Sequence, residues 1–242
     1  MKLNLQKSFL LLAFLFISQS LLADNETIRK AFKVAGFSAL EIGSAFEVQV
    51  KQSSTFSLVA TGHPEDVNAL EVDINGNTLE VHFKENSNWF SWNWGKNRKK
   101  IVLQISMPKI TSADFSGATK VEVRGFTDEE NCNMTVSGAS KLNLIDFNAD
   151  KLSLEISGAG HVKLTGHIIK LNLDCSGASK LDAAETFIRD ADLELSGASH
   201  ALVQVQKTLR VNASGASKVS YKGSPNVSKD VSGASSVVRV ND

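Results

Sequence analysis

Apolar and polar residues alternate along much of the first half of the chain. An alternation with a period of two places one face of a strand toward a core and the other toward solvent. The pattern covers six stretches, at residues 37–42, 46–50, 56–60, 70–74, 79–83 and 101–105. The N-terminal part is therefore predicted to be rich in half-buried strands.

Two local signals predict the connections between these strands. The Asn75-Gly76 pair lies between two of them and predicts a hairpin with a type I′ turn, whose central residues both need positive φ. Pro64 opens the segment 64–67 and favours one helical turn there, since proline fits the first position of a helix. No other segment predicts a helix.

The second half of the chain repeats the triplet Ser-Gly-Ala. Its seven copies begin at Ser116, Ser137, Ser157, Ser176, Ser196, Ser214 and Ser232, which are 21, 20, 19, 20, 18 and 18 residues apart. A period near 20 with short strands matches one coil of a parallel β-helix, in which successive coils pair at about 4.8 Å. We expect an all-β fold: a single-stranded parallel β-helix, with the strand-rich N-terminal part capping or continuing it.

The repeats share a polarity pattern around the triplet. The residue before Ser is apolar or small, the residue two before Ser is acidic or neutral polar, and the residue four after Ser is Lys, His or, once, Ser. Even spacing along extended chain places the acid, the first Ser and the base on the solvent side and the apolar residues inside. Equal phases then form vertical ladders, and exposed ion pairs between them contribute only ~0–1 kcal/mol each.

Glycine occupies one fixed phase of every repeat. A corner that needs positive φ, or that lies too close to neighbouring backbone for a Cβ, explains this best. The predicted structural glycines are Gly117, Gly138, Gly158, Gly177, Gly197, Gly215 and Gly233.

The N-terminus has the order of a secretory signal peptide. Lys2 and Lys7 precede an apolar run at 9–17, which is too short to span a bilayer, and Ala23 ends the small-residue exit. We expect cleavage after Ala23 and export to the periplasm, the cell surface or the medium. The predicted divisions are a signal peptide at 1–23, a mobile lead-in at 24–31, a β-rich part of the same domain at 32–110 and the coil repeats at 111–242.

The charge balance bears on the class of partner, and the cysteine positions bear on whether the thiols are free. Removal of residues 1–23 leaves 24 basic against 26 acidic residues, which argues against nucleic acid as a partner. Cys132 and Cys175 lie at different phases of the repeat, so they are predicted to be free thiols, with Cys175 a small buried apolar residue.

These features together resemble a known family. The chain has an opening Phe-x-x-Leu strand at 37–42, a Phe-x-Val-x-Val strand at 46–50, Leu-Glu-Val at 79–81 before Met107-Pro108, and the Ser-Gly-Ala-Ser coils. It resembles the secreted bacterial family of putative auto-transporter adhesins, head GIN domain. The resemblance covers nearly all of the mature chain and implies a single-stranded right-handed β-helix at the cell surface or in the periplasm, with no catalytic residues to carry over.

One aromatic segment departs from that family pattern. Its candidate binding residues are Trp89, Phe90, Trp92, Trp94, Lys96 and Arg98. In extended conformation Phe90, Trp92 and Trp94 share one face, which could stack on sugar rings, meet a partner or touch an anionic surface. The alternative is that the rings cover an open end or flank of the β-helix.

Catalytic and metal-binding interpretations are weaker. Ser137, Ser140 and Lys141 could form a serine–lysine pair, but the same residues recur coil after coil, whereas an active site needs one differentiated pocket. His161 and His200 take the phase held elsewhere by lysine, so neither a metal site nor a cofactor is predicted.

The sequence thus favours a non-enzymatic exported protein of the cell envelope, an adhesin or surface-display module. Its expected partner is a cell-surface glycan or protein. Two alternatives stay open: a polysaccharide-active enzyme on a β-helix, and a self-assembling envelope scaffold.

Overall fold

The computed structural model of the chain describes residues 27–84 and 100–241. The predicted signal peptide at 1–23 lies outside these residues. The described strands are β1 (Ile28–Phe32), β2 (Ala39–Ile42), β3 (Glu47–Gln52), β4 (Ser57–Gly62), β5 (Leu70–Asn75), β6 (Thr78–Phe83), β7 (Val102–Met107), β8 (Ser112–Phe115), β9 (Lys120–Arg124), β10 (Glu129–Val136), β11 (Lys141–Ile156), β12 (His161–Cys175), β13 (Lys180–Leu195), β14 (His200–Ala213), β15 (Lys218–Lys222), β16 (Asn226–Val231) and β17 (Ser236–Arg239). One short helix, α1 (Pro64–Asn68), begins with the proline expected at its first position.

Strands β8 to β17 form the predicted parallel stack. Each Ser-Gly-Ala triplet joins the strand segment before it to the strand segment after it, and the triplet with these two segments is one rung. The long strands β11 to β14 each supply the second segment of one rung and the first segment of the next. Neighbouring rungs pair in parallel with equal phases opposite each other, as Thr135, Glu155 and Asp174 show. The β-helix is therefore confirmed, and the repeat period corresponds to one rung.

The N-terminal strands enter this stack out of chain order. Strand β2 lies between β6 and β8, and β3 lies between β7 and β9, all in parallel pairs. The β6–β7 rung thus precedes the β2–β3 rung in space although it follows it in sequence. The chain enters at the second rung, leaves to build the end of the stack, returns as the first rung and then continues as the third.

The segment that builds the end of the stack uses antiparallel strands. Strand β5 pairs with β6, β4 pairs with β7, and β1 pairs with the far side of β4. These strands cover the edges that the first rung would otherwise expose to other chains. Within the lead-in expected at 24–31, residues from Ile28 onward form a strand paired with β4.

The predicted hairpin is confirmed with a different turn. Asn75 pairs with Thr78, so the two central residues are Gly76 and Asn77 rather than Asn75 and Gly76. Gly76 has φ +63°, and Asn77 is not among the residues with positive φ. A positive φ at the first central residue alone fits a type II′ turn, in which glycine takes the only position that needs positive φ.

The core is a column of inward side chains along the whole stack. It includes the residue before each of the first six triplets, such as Phe115, Val136 and Ile156, which are fully buried, whereas Val231 before the last triplet is exposed. Cys132 and Cys175 are both free, as predicted, and Cys132 is buried within the core as well as Cys175, for which burial was expected. Burial, with the nearby charge of Asp174 adding to it, raises the pKa of the Cys175 thiol to about 12, so it remains protonated and unreactive.

Candidate functional site

The predicted aromatic site falls in the part of the chain that the structure does not describe. Trp89, Phe90, Trp92, Trp94, Lys96 and Arg98 all lie within residues 85–99. Its place in the topology is defined by the flanking strands. Residues 82–101 connect Val81 to Val102, whereas only residues 43–46 connect their partners Ile42 and Glu47 in the next rung. In sequence, the aromatic segment is therefore part of an insertion between β6 and β7, relative to the connection between β2 and β3.

The corners of the following rungs are built by the seven predicted glycines. Their φ values lie between +69° and +80°. A Cβ on Gly177 would lie 2.5 Å from the carbonyl oxygen of Gly158 in the rung before it. The amide of Ala178 donates to that same oxygen at 2.8 Å. The corner backbones therefore stack directly on one another, and both the dihedral angle and the close approach require glycine.

An eighth corner exists in the β2–β3 rung. Ser44 has φ +77°, and its carbonyl accepts the amide of Ala118 at 2.9 Å. The segment Gly43-Ser44-Ala45 takes the place of Ser-Gly-Ala with the first two residues exchanged, which is why it is absent from the seven predicted copies. Three small residues directly after a buried Ile42 were the signal that could have identified it.

The fourth position of the repeat, usually the second serine of Ser-Gly-Ala-Ser, points inward in the rungs before the last one. This hydroxyl phase is held by Thr119, Ser140, Ser179, Ser199 and Ser217, all buried. Thr119 Oγ1 donates to Ser140 Oγ at 3.0 Å, and Ser179 Oγ donates to the carbonyl of Ser176 at 2.6 Å. The sequence signal was the spacing of this serine. It lies an even number of residues from the apolar positions on either side, so in extended chain it shares their inward face. Ser140 is inside and Lys141 is exposed, so the two cannot act together on a substrate.

The charged ladders lie outside, on either side of the glycine corner. The base phase pairs Lys120 with Lys141, Lys141 with His161 and Lys180 with His200, so both histidines are ladder members as predicted. No group of three or more metal-ligating side chains occurs in residues 27–84 and 100–241.

A shallow groove of about 450 Å³ follows the strands that precede the corners. Asn133, Ser153, Asn172 and Asp192 lie along it. Asp192 accepts ion pairs from Lys170 at 3.2 Å and from Arg210 at 3.1 Å. Partial burial opposes ionisation of Asp192, but the hydrogen bonds from Arg210 and Lys170 outweigh it and lower the pKa of the carboxyl group. This acid is held ionised by its partners, which does not suit a proton donor.

Glu129 is a buried carboxylate at an inward phase. Its Oε1 accepts the backbone N–H of Ile110 at 3.3 Å. Burial raises the pKa of Glu129, while the Ile110 amide and the Lys109 charge partly offset that rise. The group satisfies a backbone donor in the core, which is a structural role.

Similarity to known proteins agrees with this geometry. A family model described as putative auto-transporter adhesin, head GIN domain, matches residues 36–225. The chain belongs to this family. The GIN-domain match includes antiparallel β4 and β5, the first rungs and the Ser-Gly-Ala stack as far as β15. The family is described as one of putative adhesins and not as one of enzymes.

Solved structures share the fold across nearly their whole length. A putative adhesin from Bacteroides fragilis is 21% identical with a TM-score of 0.77, and the match covers 90% of this chain and 97% of that one. A putative lipid binding protein from Parabacteroides distasonis is 18% identical with a TM-score of 0.68, covering 90% and 98%. A putative adhesin from Parabacteroides merdae is 17% identical with a TM-score of 0.67, covering 90% and 97%. At these identities the similarity establishes the fold alone.

Two further findings concern curated proteins and membrane-spanning helices. No curated protein matches the chain significantly. Among the described residues, no helix has the length and apolar content that crossing a bilayer requires.

Proposed function

We propose that this protein is a non-enzymatic, exported module of the cell envelope that binds other surfaces through the outside of its β-helix. The supporting observation is that its most conspicuous polar residues form ladders of equal members. The second serine of the repeat points into the core in most rungs, and lysines and acids recur at the same phase from rung to rung. Uniform ladders on a long stack suit extended or multivalent contacts.

Adhesion of particles that carry the protein tests this proposal. Beads coated with the chain from Asp24 onward are expected to attach to cells or to immobilised surface glycans, and beads coated with the heat-unfolded chain are not. Equal attachment of both kinds of beads, or of neither, would contradict the proposal.

Export is tested separately. The mature protein is expected to begin at Asp24 when its mass is measured, since the signal peptide is predicted to end at Ala23. Proteinase treatment of intact cells is expected to remove a surface-exposed protein and to spare a periplasmic one. Recovery of the uncleaved chain from the cytoplasm would contradict export.

The aromatic insertion is a proposed contact region of this module. Replacement of Trp92 and Trp94 by Ala is expected to weaken attachment while the far-UV circular dichroism spectrum stays unchanged, because large rigid aromatics dominate interface energetics. Loss of folded signal would instead assign these rings to covering the fold.

The enzymatic alternative has a direct test. A β-helix lyase or hydrolase would release new chain ends from acidic or neutral polysaccharides. We expect no turnover, because the described carboxylates provide no pair in which one is poised as acid and the other as base. Sustained cleavage by the purified protein would overturn this part of the proposal.

A further inference from the structure

A second bend in each coil carries a surface of its own, which we call the bend face. Register places Asn148 opposite His167 and His167 opposite Phe187, while Ala149, Ile168 and Ile188 pair beneath them. The outward side chains of three successive rungs define this face: Asn148, Asp150, His167, Ile169, Phe187 and Arg189.

The centre of the bend face is apolar and exposed. Phe187 is 49% exposed and Ile169 is 46% exposed, and both are among the few large apolar residues that the described chain leaves in solvent. The Phe187 ring lies parallel to the His167 imidazole, with centroids 5.3 Å apart and planes 11° apart. One face of Phe187 is thus supported from the rung before it.

The other side of Phe187 is uncovered because the next rung is shorter. Residues 184–187 separate Ala183 from Ile188, whereas only Gln204 separates their partners Val203 and Val205. The stack therefore steps inward at this bend, and no residue of the next rung pairs with Phe187. The 18-residue spacing after Ser196 is the sequence counterpart of this step.

Charge changes sign along the bend face. Arg189 follows Ile188 and is exposed, with its Nε 3.4 Å from Asp190 Oδ2, and Gln206 and Lys207 follow Val205 in the next rung. At the other end, a groove of about 210 Å³ is lined by Asp128, Glu130 and Asp150. An anion on Phe187 would be attracted on the Arg189 side and repelled from the acidic groove.

We propose that Phe187 and Arg189 form a binding site for an acidic saccharide, a pyranose ring that carries a carboxylate. The apolar C–H face of a pyranose stacks on an exposed aromatic ring, and a guanidinium pairs with a carboxylate through two parallel hydrogen bonds. The His167 imidazole supports the Phe187 ring from the rung before it, so the Phe187 side chain loses less conformational freedom when the sugar binds. This site rests on the proposed adhesive function and gives it a ligand class.

Titration calorimetry with a galacturonate trisaccharide and with the neutral galactose trisaccharide tests the site. The acidic sugar is expected to bind more tightly. Phe187→Ala should weaken binding of both sugars about tenfold, as the loss of one stacking contact implies, and Phe187→Tyr should retain it. Arg189→Gln should remove the preference for the acidic sugar and leave the neutral one unaffected. Ile74→Ala, an exposed apolar residue of the antiparallel end, is the matched control.

Three results would overturn this site. The acidic sugar does not bind, Phe187→Ala binds it with the affinity of the natural chain, or Phe187→Ala binds a protein on the target cell as strongly as the natural chain does. The bead experiment separates this inference from the wider proposal. Beads that attach equally with and without Phe187 contradict the site but leave adhesion intact. Sugar binding in solution by a protein whose beads do not attach supports the site and contradicts adhesion.

Discussion

At the residue scale, two requirements meet at each corner glycine: a positive φ, and a neighbouring backbone too close for a Cβ. Gly125 also has positive φ, +78°, but a Cβ on it would meet nothing within 4 Å. At Gly177 the added Cβ would strike the backbone of Gly158. The two positions therefore form a matched pair that distinguishes the dihedral cost from the steric one.

Gly177→Ala is expected to lower the free energy of unfolding by about 3 kcal/mol or more, since it adds a backbone clash to an unfavourable φ. Gly125→Ala should lower it by about 1 to 2 kcal/mol, the cost of the left-handed conformation alone. Urea unfolding measures both values. Equal losses in the two variants would show that close stacking of the corners has no energetic role.

Glu129 gives a pH-dependent prediction. Its pKa is raised in the folded state above the ordinary value of 4.5, chiefly by burial, so the folded protein loses stability as pH rises above that value. Glu129→Gln keeps an oxygen for the Ile110 amide and removes the buried charge. The variant should unfold at higher temperature than the natural chain at neutral pH, and the gain should disappear below the ordinary glutamate pKa.

The exposed neighbour Glu130 is the control for this experiment. Glu130→Gln should change the unfolding temperature little at either pH, because its carboxylate is in solvent. A Glu129→Gln variant that is less stable at neutral pH would mean that the ionised carboxylate contributes attraction that the Ile110 contact does not account for.

At the scale of elements, the two ends of the stack differ. The first rung is covered by antiparallel β4 and β5, whereas within residues 27–84 and 100–241 the strands β16 and β17 each pair on one side only. The inward phase of β16 carries a lysine: Lys229 lies opposite Val211, and Leu193, Leu173 and Leu154 precede it in the same column. An inward-pointing charge on an edge strand opposes pairing with a further strand.

Lys229→Val is therefore expected to promote end-to-end association of the chain through β16. Sedimentation velocity at increasing protein concentration should show dimers for this variant and a constant sedimentation coefficient for the natural chain. Ser228→Val, which adds the same side chain to the outward phase, is the control. Equal association in both variants would point to surface hydrophobicity rather than to the edge, and assembly of the natural chain would favour the scaffold alternative.

At the scale of the whole molecule, the stack behaves as a one-dimensional array in which each rung contacts its neighbours. Deletion of residues 137–156 removes one complete rung and joins Val136 to Ser157, so every phase is preserved. This variant should keep the β-rich circular dichroism spectrum and unfold cooperatively. Deletion of residues 137–146 alone removes a corner and misaligns inward and outward positions, so it should abolish cooperative unfolding. Loss of folding in both variants would show that the rungs are not interchangeable.

The repeat pattern was sufficient to predict much of this fold. Alternation of apolar and polar residues gives the inside and outside of a strand, and glycine at a constant phase gives the corner, because both depend on local geometry. Strand positions, α1, the free buried cysteines and the ladder phases of His161 and His200 follow from such local rules. The aromatic segment at 89–94 stays a prediction as a binding site.

Tertiary structure decided the features that depend on contacts between distant residues. The place of β2 and β3 between later strands and the pairing of β1 with β4 arise from register across tens of residues, which a local pattern does not encode. The step that uncovers Phe187 is of the same kind: spacing shows that a coil is shorter, but only the stacked register shows which side chain loses its cover. The sequence alone determined the rung; the packing of rungs against one another determined the ends and the exposed ring.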